Sequence, residues 1–364
     1  MNMLGYKKTY TLPFKFLIPN YINEFLNKRS ITKLWIKYIK RYLYILFKGQ
    51  QSLEILKISK EHKDILWINF SAPSIGDSLM DLSSRSLLSD RKVDLLTDKK
   101  NVNLYHEDWV FSSVYTNPKD LNNKSYDLVI IDSYSTRSIK IKTQVTRLTP
   151  YIGMYGYFNG PEVNRVLFSF HKMNSLLGYI KSESEINKIA KSSISISYND
   201  QKLIQKLSLP DEYIAIALGG EWSYRTYDNW PEVIKKLLIK DNNLKIILLG
   251  SKNAYTIEKT IIEFFSSLNV MSYVAKFTFN QTTEIINQAK LLICCDGGLM
   301  HAANAVETPI IPLFARLQEQ MQLTSSIKAF PIFDPTNVNN ILVKDIIQKY
   351  NEATILDHNH PQDG

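Results

Sequence analysis

The sequence predicts an α/β protein built from two Rossmann-like domains. Apolar, strand-like runs alternate with helical segments in both halves of the chain, which is typical of a parallel sheet covered by helices. In addition, the apolar run 291–295 is followed by Asp296, two glycines and a helical stretch at 300–306. A strand, a tight turn and a helix N-terminus in this order are typical of ligand binding at the carboxyl edge of such a sheet.

Each half of the chain contains its own series of predicted strands. In the first half they are ILWINF (65–70), KVDLLT (92–97), YDLVIID (126–132) and MYGYF (154–158). In the second half they are YIAIAL (213–218), LKIILLG (244–250), a short strand near Tyr273 and LLICC (291–295), with helices expected at 231–239, 254–268 and 281–289. Pro231 suits the first turn of its helix. We therefore expect domains at 65–190 and 211–335, a linker at 191–210, and a C-terminal helix and tail at 336–364.

Composition excludes several classes of protein. With 364 residues and 45% hydrophobic content, the chain is long and apolar enough for two cored domains and is not a disordered protein. Its two cysteines, Cys294 and Cys295, are adjacent in an apolar run, which predicts buried thiols and neither a disulfide framework nor a zinc site. No run approaches the roughly 18 apolar residues of a spanning helix. Lys15 interrupts the N-terminal apolar stretch, so we expect a cytoplasmic protein.

The positive charge is concentrated in an N-terminal extension, residues 1–64. This segment holds 13 basic and 4 acidic residues, an excess of nine that equals the net charge of the whole chain, +9. Such an asymmetry predicts an acidic partner: a membrane surface, an anionic glycolipid or nucleic acid. Nucleic acid is disfavoured, because no known binding module accompanies the charge.

Within the extension, residues 31–48 are predicted to form an amphipathic helix with Ser30 as its N-cap. Its apolar positions recur at helical spacing: Ile31, Leu34, Trp35, Tyr38, Ile39 and Tyr42. Its basic positions fall mainly on the other face: Lys33, Lys37, Lys40, Arg41 and Lys48. This pattern is typical of a helix at an anionic membrane surface. The alternative is a helix whose apolar face packs on the first domain and whose lysines are solvated.

Three stretches of the chain together resemble one known family. They are ILWINFSAPSIGDSLMDL (65–82), IAIALGGEWSYRTYDNWP (214–231) and LLICCDGGLMHAANAVETPIIPLF (291–314). In this order they are similar to the opening strand with its Gly-Asp turn, the strand opening the second domain, and the donor-binding segment of glycosyltransferase family 9, the bacterial heptosyltransferases of lipopolysaccharide assembly. The resemblance implies the GT-B architecture, in which two Rossmann-like domains face a cleft. Here a basic N-terminal helical extension would precede them.

The resemblance implies that Asp77 is the catalytic base that deprotonates the acceptor hydroxyl. Asp77 follows Gly76 just beyond the first predicted strand. Considered alone, this position also suits the N-cap of a helix that begins near Ser78, because aspartate is a favoured N-cap residue. The two roles are compatible.

The same resemblance implies a donor site at the turn that begins with Asp296. Asp296 would accept from a sugar or ribose hydroxyl, Gly297 and Gly298 would let the backbone approach the diphosphate, and His301 would donate to a phosphate or sugar. The alternative for His301 is a packed core histidine. The family's lysine two residues before the Trp-Pro is replaced by Asp228, so Arg225 is the nearby cation that could bind the diphosphate.

The sequence therefore predicts an inverting glycosyltransferase that moves a heptose, or a related sugar, from an ADP-activated donor to a lipid-linked lipopolysaccharide core oligosaccharide. No Asp-x-Asp sequence occurs in the chain, which favours metal-independent transfer without a cofactor. One alternative is a GT-B transferase with another nucleotide-sugar donor, acting on O-antigen, capsule or protein. Another is a non-catalytic nucleotide- or carbohydrate-binding protein. A nicotinamide dehydrogenase is disfavoured, because no Gly-x-Gly-x-x-Gly follows a predicted strand.

Overall fold

A computed structural model describes residues 31–70, 72, 74–155, 164–265 and 269–358. The chain divides into two compact units between Ala190 and Lys191. The predicted N-cap Ser30 lies outside the described residues. Among these residues, none of the helices combines the length and the hydropathy of a membrane-spanning segment.

The first unit contains a five-stranded parallel sheet in the order β3-β2-β1-β4-β5. Its strands are β1 Asp64–Asn69, β2 Lys92–Thr97, β3 Phe111–Tyr115, β4 Leu128–Ser133 and β5 Tyr151–Tyr155. Its helices are α1 Ile31–Phe47, α2 Ile75–Asp81, α3 Val102–Tyr105, α4 Thr136–Val145, α5 Arg165–Leu176 and α6 Glu183–Ile189. The central strands β1 and β4 are almost fully buried, as expected for a parallel sheet covered on both faces.

The second unit contains a six-stranded parallel sheet in the order β11-β10-β9-β6-β7-β8. Its strands are β6 Ile214–Ala217, β7 Ile246–Leu249, β8 Val270–Ser272, β9 Leu291–Cys295, β10 Ile310–Ala315 and β11 Ile332–Asp334. Its helices are α7 Tyr198–Gln205, α8 Trp230–Lys240, α9 Tyr255–Phe264, α10 Phe279–Asn287, α11 Gly298–Ala305 and α12 Val343–His358. Apolar clusters cover both faces of this sheet.

Both sheets have the Rossmann strand order, which confirms the predicted fold class. In each, the first strand lies between the second and the fourth, so the winding direction reverses next to it: β1 beside β4, and β6 beside β9. Ligands of open α/β sheets bind outside the carboxyl ends of the strands at this switch point. The fold therefore marks one position in each unit for functional residues.

One predicted strand has other bounds in the structure, and two observed edge strands were not predicted. The last strand of the first sheet is 151–155 and not 154–158, because pairing of Val129 with Tyr151 sets its register, and residues 156–158 lie outside the described residues. The strands β3 and β11 were not predicted. Both are edge strands with few buried side chains, so neither has a clear apolar pattern.

Parts of the expected extension and linker pack on the two units. Ile45 near the end of α1 is buried in the apolar cluster of the first unit, and Ile55 donates its backbone N–H to the Tyr151 carbonyl at 2.9 Å. The end of α1 and the segment after it therefore belong to the first domain. Residues 191–210 are not a free connection, because α7 buries Ile204 in the core of the second unit.

Candidate functional site

Asp77 lies in the first turn of α2, just beyond the carboxyl end of β1. Ser74 is the N-cap residue of this helix, and its hydroxyl accepts from the Asp77 N–H at 3.1 Å. In return, Asp77 Oδ2 accepts from the Ser74 N–H at 3.1 Å and from its hydroxyl at 2.6 Å. This reciprocal pair is a capping box. The predicted N-cap role of Asp77 is therefore wrong: the helix begins three residues earlier than expected, and Asp77 is its third residue.

Arg165, the first residue of α5, joins Asp77 to a second carboxylate. Its Nη1 donates to Asp77 Oδ1 at 2.5 Å, while its Nε and Nη2 donate to the two oxygens of Asp81 at 2.8 and 2.6 Å. Asp77 and Asp81 are four residues apart on α2, so they lie on one face of the helix. The fork geometry of arginine fits two carboxylates at once, which fixes the position of Asp77.

Burial opposes the charged forms in this cluster, and the ion pairs act against it. Burial raises the pKa of the Asp81 carboxyl, and Arg165 offsets this only in part. Burial opposes the charged form of Arg165, but the charges of Asp81 and Asp77 and the hydrogen bond to Asp81 outweigh it and raise the pKa of Arg165. Tyr155 donates its hydroxyl to Asp81 at 2.6 Å. The guanidinium therefore stays charged and holds both carboxylates.

Contacts also fix the switch point of the first sheet. Asp132, at the end of β4, is buried and accepts from the backbone N–H of Phe70 at 2.9 Å, which ties the end of β4 to the loop after β1. The side chain of Asp77 keeps 21% of its surface exposed. A carboxylate has about four lone-pair sites, and the described contacts of Asp77 use three. One site on Oδ1 is not used by the described contacts.

In the second unit, the structure brings together two of the predicted donor residues. Arg225 lies in the loop after β6, and its Nη1 donates to Asp296 Oδ2 at 2.9 Å. Asp296 follows β9 directly, and its side chain is only 2% exposed, against 22% for Arg225. The pair therefore bridges β6 and β9, the two strands that flank the switch point of the second sheet.

Next to this pair, the turn at Gly297 and Gly298 begins α11. Gly297 has extended backbone angles, and a Cβ there would meet nothing closer than the Cys295 carbonyl oxygen, 3.9 Å away. Gly297 therefore leaves an open surface at the helix N-terminus. No side chain of the described residues caps this end of α11, so its first N–H groups remain available for an anion.

His301 lies one turn into α11 and is only 3% exposed. This burial agrees with the alternative given in the sequence analysis, in which His301 is a packed core histidine. Its predicted contact with a donor stays a prediction, because a bound phosphate or sugar would have to reach a ring that is almost fully covered.

Two polar side chains near the second switch point, those of Asp228 and Asn253, are hydrogen-bonded within the protein. Asp228 accepts at Oδ2 from the Asn339 side-chain amide at 3.1 Å. Asn253 donates to the Gly220 carbonyl at 2.7 Å and so joins the loops after β6 and β7. Both side chains stabilise loops around the second switch point.

Two functional candidates are absent from the sequence-based predictions. Arg165 follows a stretch without a distinctive motif, and its pairing with Asp77 depends on tertiary contact. Arg316 follows β10 and has its guanidinium 3.9 Å from the ring centroid of Tyr224, in the loop after β6. Arg316 could have been found from the sequence, because it is a cation that directly follows a strand of a Rossmann-like sheet. Within the described part of the chain, no group of three or more His, Cys, Asp or Glu side chains is arranged to hold a metal ion.

Comparison with solved structures gives the same fold. The glycosyltransferase family 9 protein from Veillonella parvula DSM 2008 has 12% identity and a TM-score of 0.68, covering 82% of this chain and 99% of that one. The ADP-heptose lps heptosyltransferase II of E. coli has 17% identity and a TM-score of 0.65, covering 81% and 100%. The E. coli heptosyltransferase WaaC with ADP has 17% identity and a TM-score of 0.60, covering 79% and 99%. At these identities the similarity establishes a shared GT-B fold.

No curated protein matches the chain by sequence. The sequence model of glycosyltransferase family 9, described as heptosyltransferase, matches residues 149–349, which is more than half of the chain. This range includes Arg225 and the whole turn from Asp296 to His301. The chain therefore belongs to glycosyltransferase family 9, the heptosyltransferase family, and is a glycosyltransferase.

Proposed function

We propose that the protein is an inverting, metal-independent transferase that moves a heptose, or a closely related sugar, from an ADP-activated donor to a lipopolysaccharide core oligosaccharide. The observation that carries this proposal is the Asp296 turn. It has the family's donor sequence, lies at the switch point of the second sheet and is paired with Arg225. Two of the similar structures are named for ADP-heptose or contain ADP, which favours an adenine nucleotide.

We assign acceptor activation to the first unit. Asp77 takes the proton of the acceptor hydroxyl through its remaining lone-pair site, while Arg165 and Ser74 hold the carboxylate in place. The acceptor oxygen then forms a bond to the anomeric carbon of the donor sugar. A general base of this kind typically contributes about 10² to 10⁴ in rate.

We assign donor binding and departure of the leaving group to the second unit. The bond between the anomeric carbon and the diphosphate oxygen breaks, and ADP leaves with the electron pair. Negative charge then develops on the diphosphate, where the α11 N-terminus and the Arg225 guanidinium stabilise it. Direct displacement inverts the anomeric configuration. Backbone N–H groups and the Arg225 side chain supply this stabilisation, so no metal ion is required in the proposed reaction.

The test is transfer itself. Purified protein is incubated with ADP-heptose and a lipopolysaccharide core acceptor that lacks heptose, and release of ADP is followed together with the mass of the product. A heptose added to the acceptor supports the proposal. Absence of transfer from ADP-heptose, with transfer from another nucleotide sugar in the same assay, contradicts the assigned donor.

A transferase with a different nucleotide-sugar donor is the second candidate. It is favoured by Asp228, which stands where the family has a lysine and accepts from the Asn339 side chain. UDP-, GDP- and CDP-sugars belong in the same assay, with O-antigen and capsule fragments as further acceptors.

We also propose that α1 binds an anionic membrane surface on the cytoplasmic side, where a lipid-linked acceptor would be available. The apolar side named from the sequence, with Trp35, Tyr38 and Tyr42, is half-buried, and Ile45 continues it into the domain core. A second apolar stripe is exposed at intervals of seven and four residues: Ile36 (62%), Leu43 (55%) and Phe47 (83%). Exposed Lys40 lies beside this stripe. Membrane contact is therefore assigned to the stripe and not to the tryptophan face.

A further inference from the structure

We infer that Arg316 is a second phosphate-binding cation of the donor site and contacts the diphosphate of a bound nucleotide sugar. This inference rests on the proposed donor role of the second unit. It adds a residue that lies outside the strand, turn and helix motif.

The sheet register places Arg316 at the edge where the donor turn lies. Leu313 in β10 is the partner of Cys295 in β9, and the Asp296 N–H donates to the Leu313 carbonyl at 3.0 Å. Arg316 comes directly after β10, as Asp296 comes directly after β9. Asp296 is therefore level with Phe314, and Arg316 lies two residues further along the same edge, on the neighbouring strand about 4.8 Å away.

Tyr224 connects Arg316 with Arg225. The Arg316 guanidinium lies 3.9 Å from the centroid of the Tyr224 ring, and the Arg225 guanidinium lies 5.4 Å from the same centroid. Both arginines therefore contact one aromatic side chain of the loop after β6. Cation–π contacts of this kind hold each side chain over the ring without consuming its hydrogen-bond donors.

The charges of these residues show why a second cation matters. Arg225 is paired with Asp296, so the pair itself has no net charge. Arg316 has no ion pair with a carboxylate among the described residues, and its Nε donates to the Thr336 carbonyl at 3.2 Å. Its Nη groups therefore remain for a ligand, and they can donate to phosphate oxygens in the two-pronged geometry that arginine favours. A diphosphate would meet the surplus positive charge of the site at Arg316.

The backbone at Arg316 is consistent with a use for this side chain. Its φ is +67°, in the left-handed region that favours glycine, and its N–H donates to the Asp334 carbonyl at 3.3 Å. A residue other than glycine in this region carries backbone strain. Glycine at this position would remove the strain but also the cation. We therefore expect glycine to favour stability and arginine to favour phosphate binding.

Measuring both nucleotide binding and thermal stability of Arg316 variants tests this inference. Binding of ADP, UDP and GDP to the wild type, Arg316→Gly and Arg316→Gln is measured by calorimetry, and thermal unfolding is recorded for each protein. Arg147→Gln, which removes an exposed arginine of the first unit, is the matched control for loss of one positive charge. We expect both Arg316 variants to bind the nucleoside diphosphate roughly ten- to a hundredfold more weakly, the range for a hydrogen bond to a charged group. Arg316→Gly should unfold at the same or a higher temperature than the wild type, and Arg147→Gln should bind like the wild type.

The outcomes distinguish failure of the Arg316 assignment from failure of the proposed donor role of the second unit. If the wild type binds a nucleoside diphosphate and both Arg316 variants bind it within twofold, Arg316 is not a phosphate contact, while the proposed function stands. If Arg147→Gln weakens binding as much as the Arg316 variants do, the effect comes from net charge, and the inference is wrong. If the wild type binds none of the three nucleotides, the donor role of the second unit and the inference both fail. Should Arg316→Gly not fold, Arg316→Gln alone decides.

Discussion

Asp77 has a structural role in a capping box and a proposed catalytic role, and comparison of two substitutions can separate these roles. Ser74→Ala removes the N-cap hydroxyl but keeps the Asp77 carboxylate and its contact with Arg165. Asp77→Asn keeps an oxygen that can accept from Ser74 but removes the negative charge. The two variants therefore separate the structural role from the catalytic one.

The expected loss of stability is similar for both variants. Loss of an N-cap serine costs about 1 kcal/mol. The Asp77–Arg165 pair is partly exposed, 21% and 29% for the two side chains, and Arg165 keeps its pairing with Asp81. Loss of this pair should then also cost about 1 kcal/mol, which leaves most of a typical stability of about 5 to 15 kcal/mol. Both variants should remain folded.

The expected loss of activity differs widely. Removal of the general base should lower turnover by about 10² to 10⁴, which corresponds to roughly 3 to 5 kcal/mol in activation free energy. Ser74→Ala should stay within a few-fold of the wild type. Affinity for ADP should change in neither variant, because the donor binds to the second unit.

The assay combines initial rates of ADP release at saturating substrates, urea denaturation and calorimetric binding of ADP. The catalytic role is refuted if Asp77→Asn retains more than half of the wild-type turnover. It is also refuted if Ser74→Ala loses as much activity as Asp77→Asn at equal stability, because the capping box would then explain both losses.

Four further predictions concern the remaining features. Arg165→Gln should destabilise the first unit by about 3 kcal/mol in urea titrations at neutral pH, because it leaves the buried Asp81 carboxylate without its cation. Adding Asp81→Asn should recover part of the lost stability. Burial raises the pKa of Asp81 in the folded state and Arg165 lowers it, so Arg165→Gln should raise this pKa further. The folded variant then binds a proton at a higher pH than the folded wild type, so the loss of stability should shrink as the pH falls; a loss that is independent of pH contradicts this reasoning. Arg225→Ala should weaken ADP binding by roughly 1.5 to 3 kcal/mol in calorimetry, and unchanged binding would assign the role to another cation. Transfer should survive EDTA, whereas loss of activity that Mg²⁺ or Mn²⁺ restores would exclude the metal-free mechanism. The double variant Phe47→Ser, Lys40→Glu should co-sediment less with anionic vesicles at low salt, while its activity on a soluble acceptor fragment should not change. If the wild-type protein does not sediment with these vesicles, the membrane proposal is wrong.

Local sequence was sufficient where a short segment specifies its own structure. The buried strand 291–295, the turn beginning with Asp296 and the helix after it can be recognised from adjacent residues, and the structure has all three. Alternation of such segments also predicted the Rossmann-like sheets correctly. Edge strands such as β3 could not be predicted in this way, because one buried residue in five leaves no apolar period to detect.

The sequence by itself determined the α/β class, the family and the order of the motifs, because apolar periodicity, glycine turns and helix starts depend on neighbours in the chain. Tertiary structure alone decided what each charged side chain contacts. Asp77 is held by Arg165, which is 88 residues away, and Arg316 shares the ring of Tyr224 with Arg225. Which face of α1 is exposed was decided in the same way, by packing of Ile45 in the core of the first unit. Such contacts depend on which strands and helices become neighbours, and that is set by burial of the whole core and not by any local pattern.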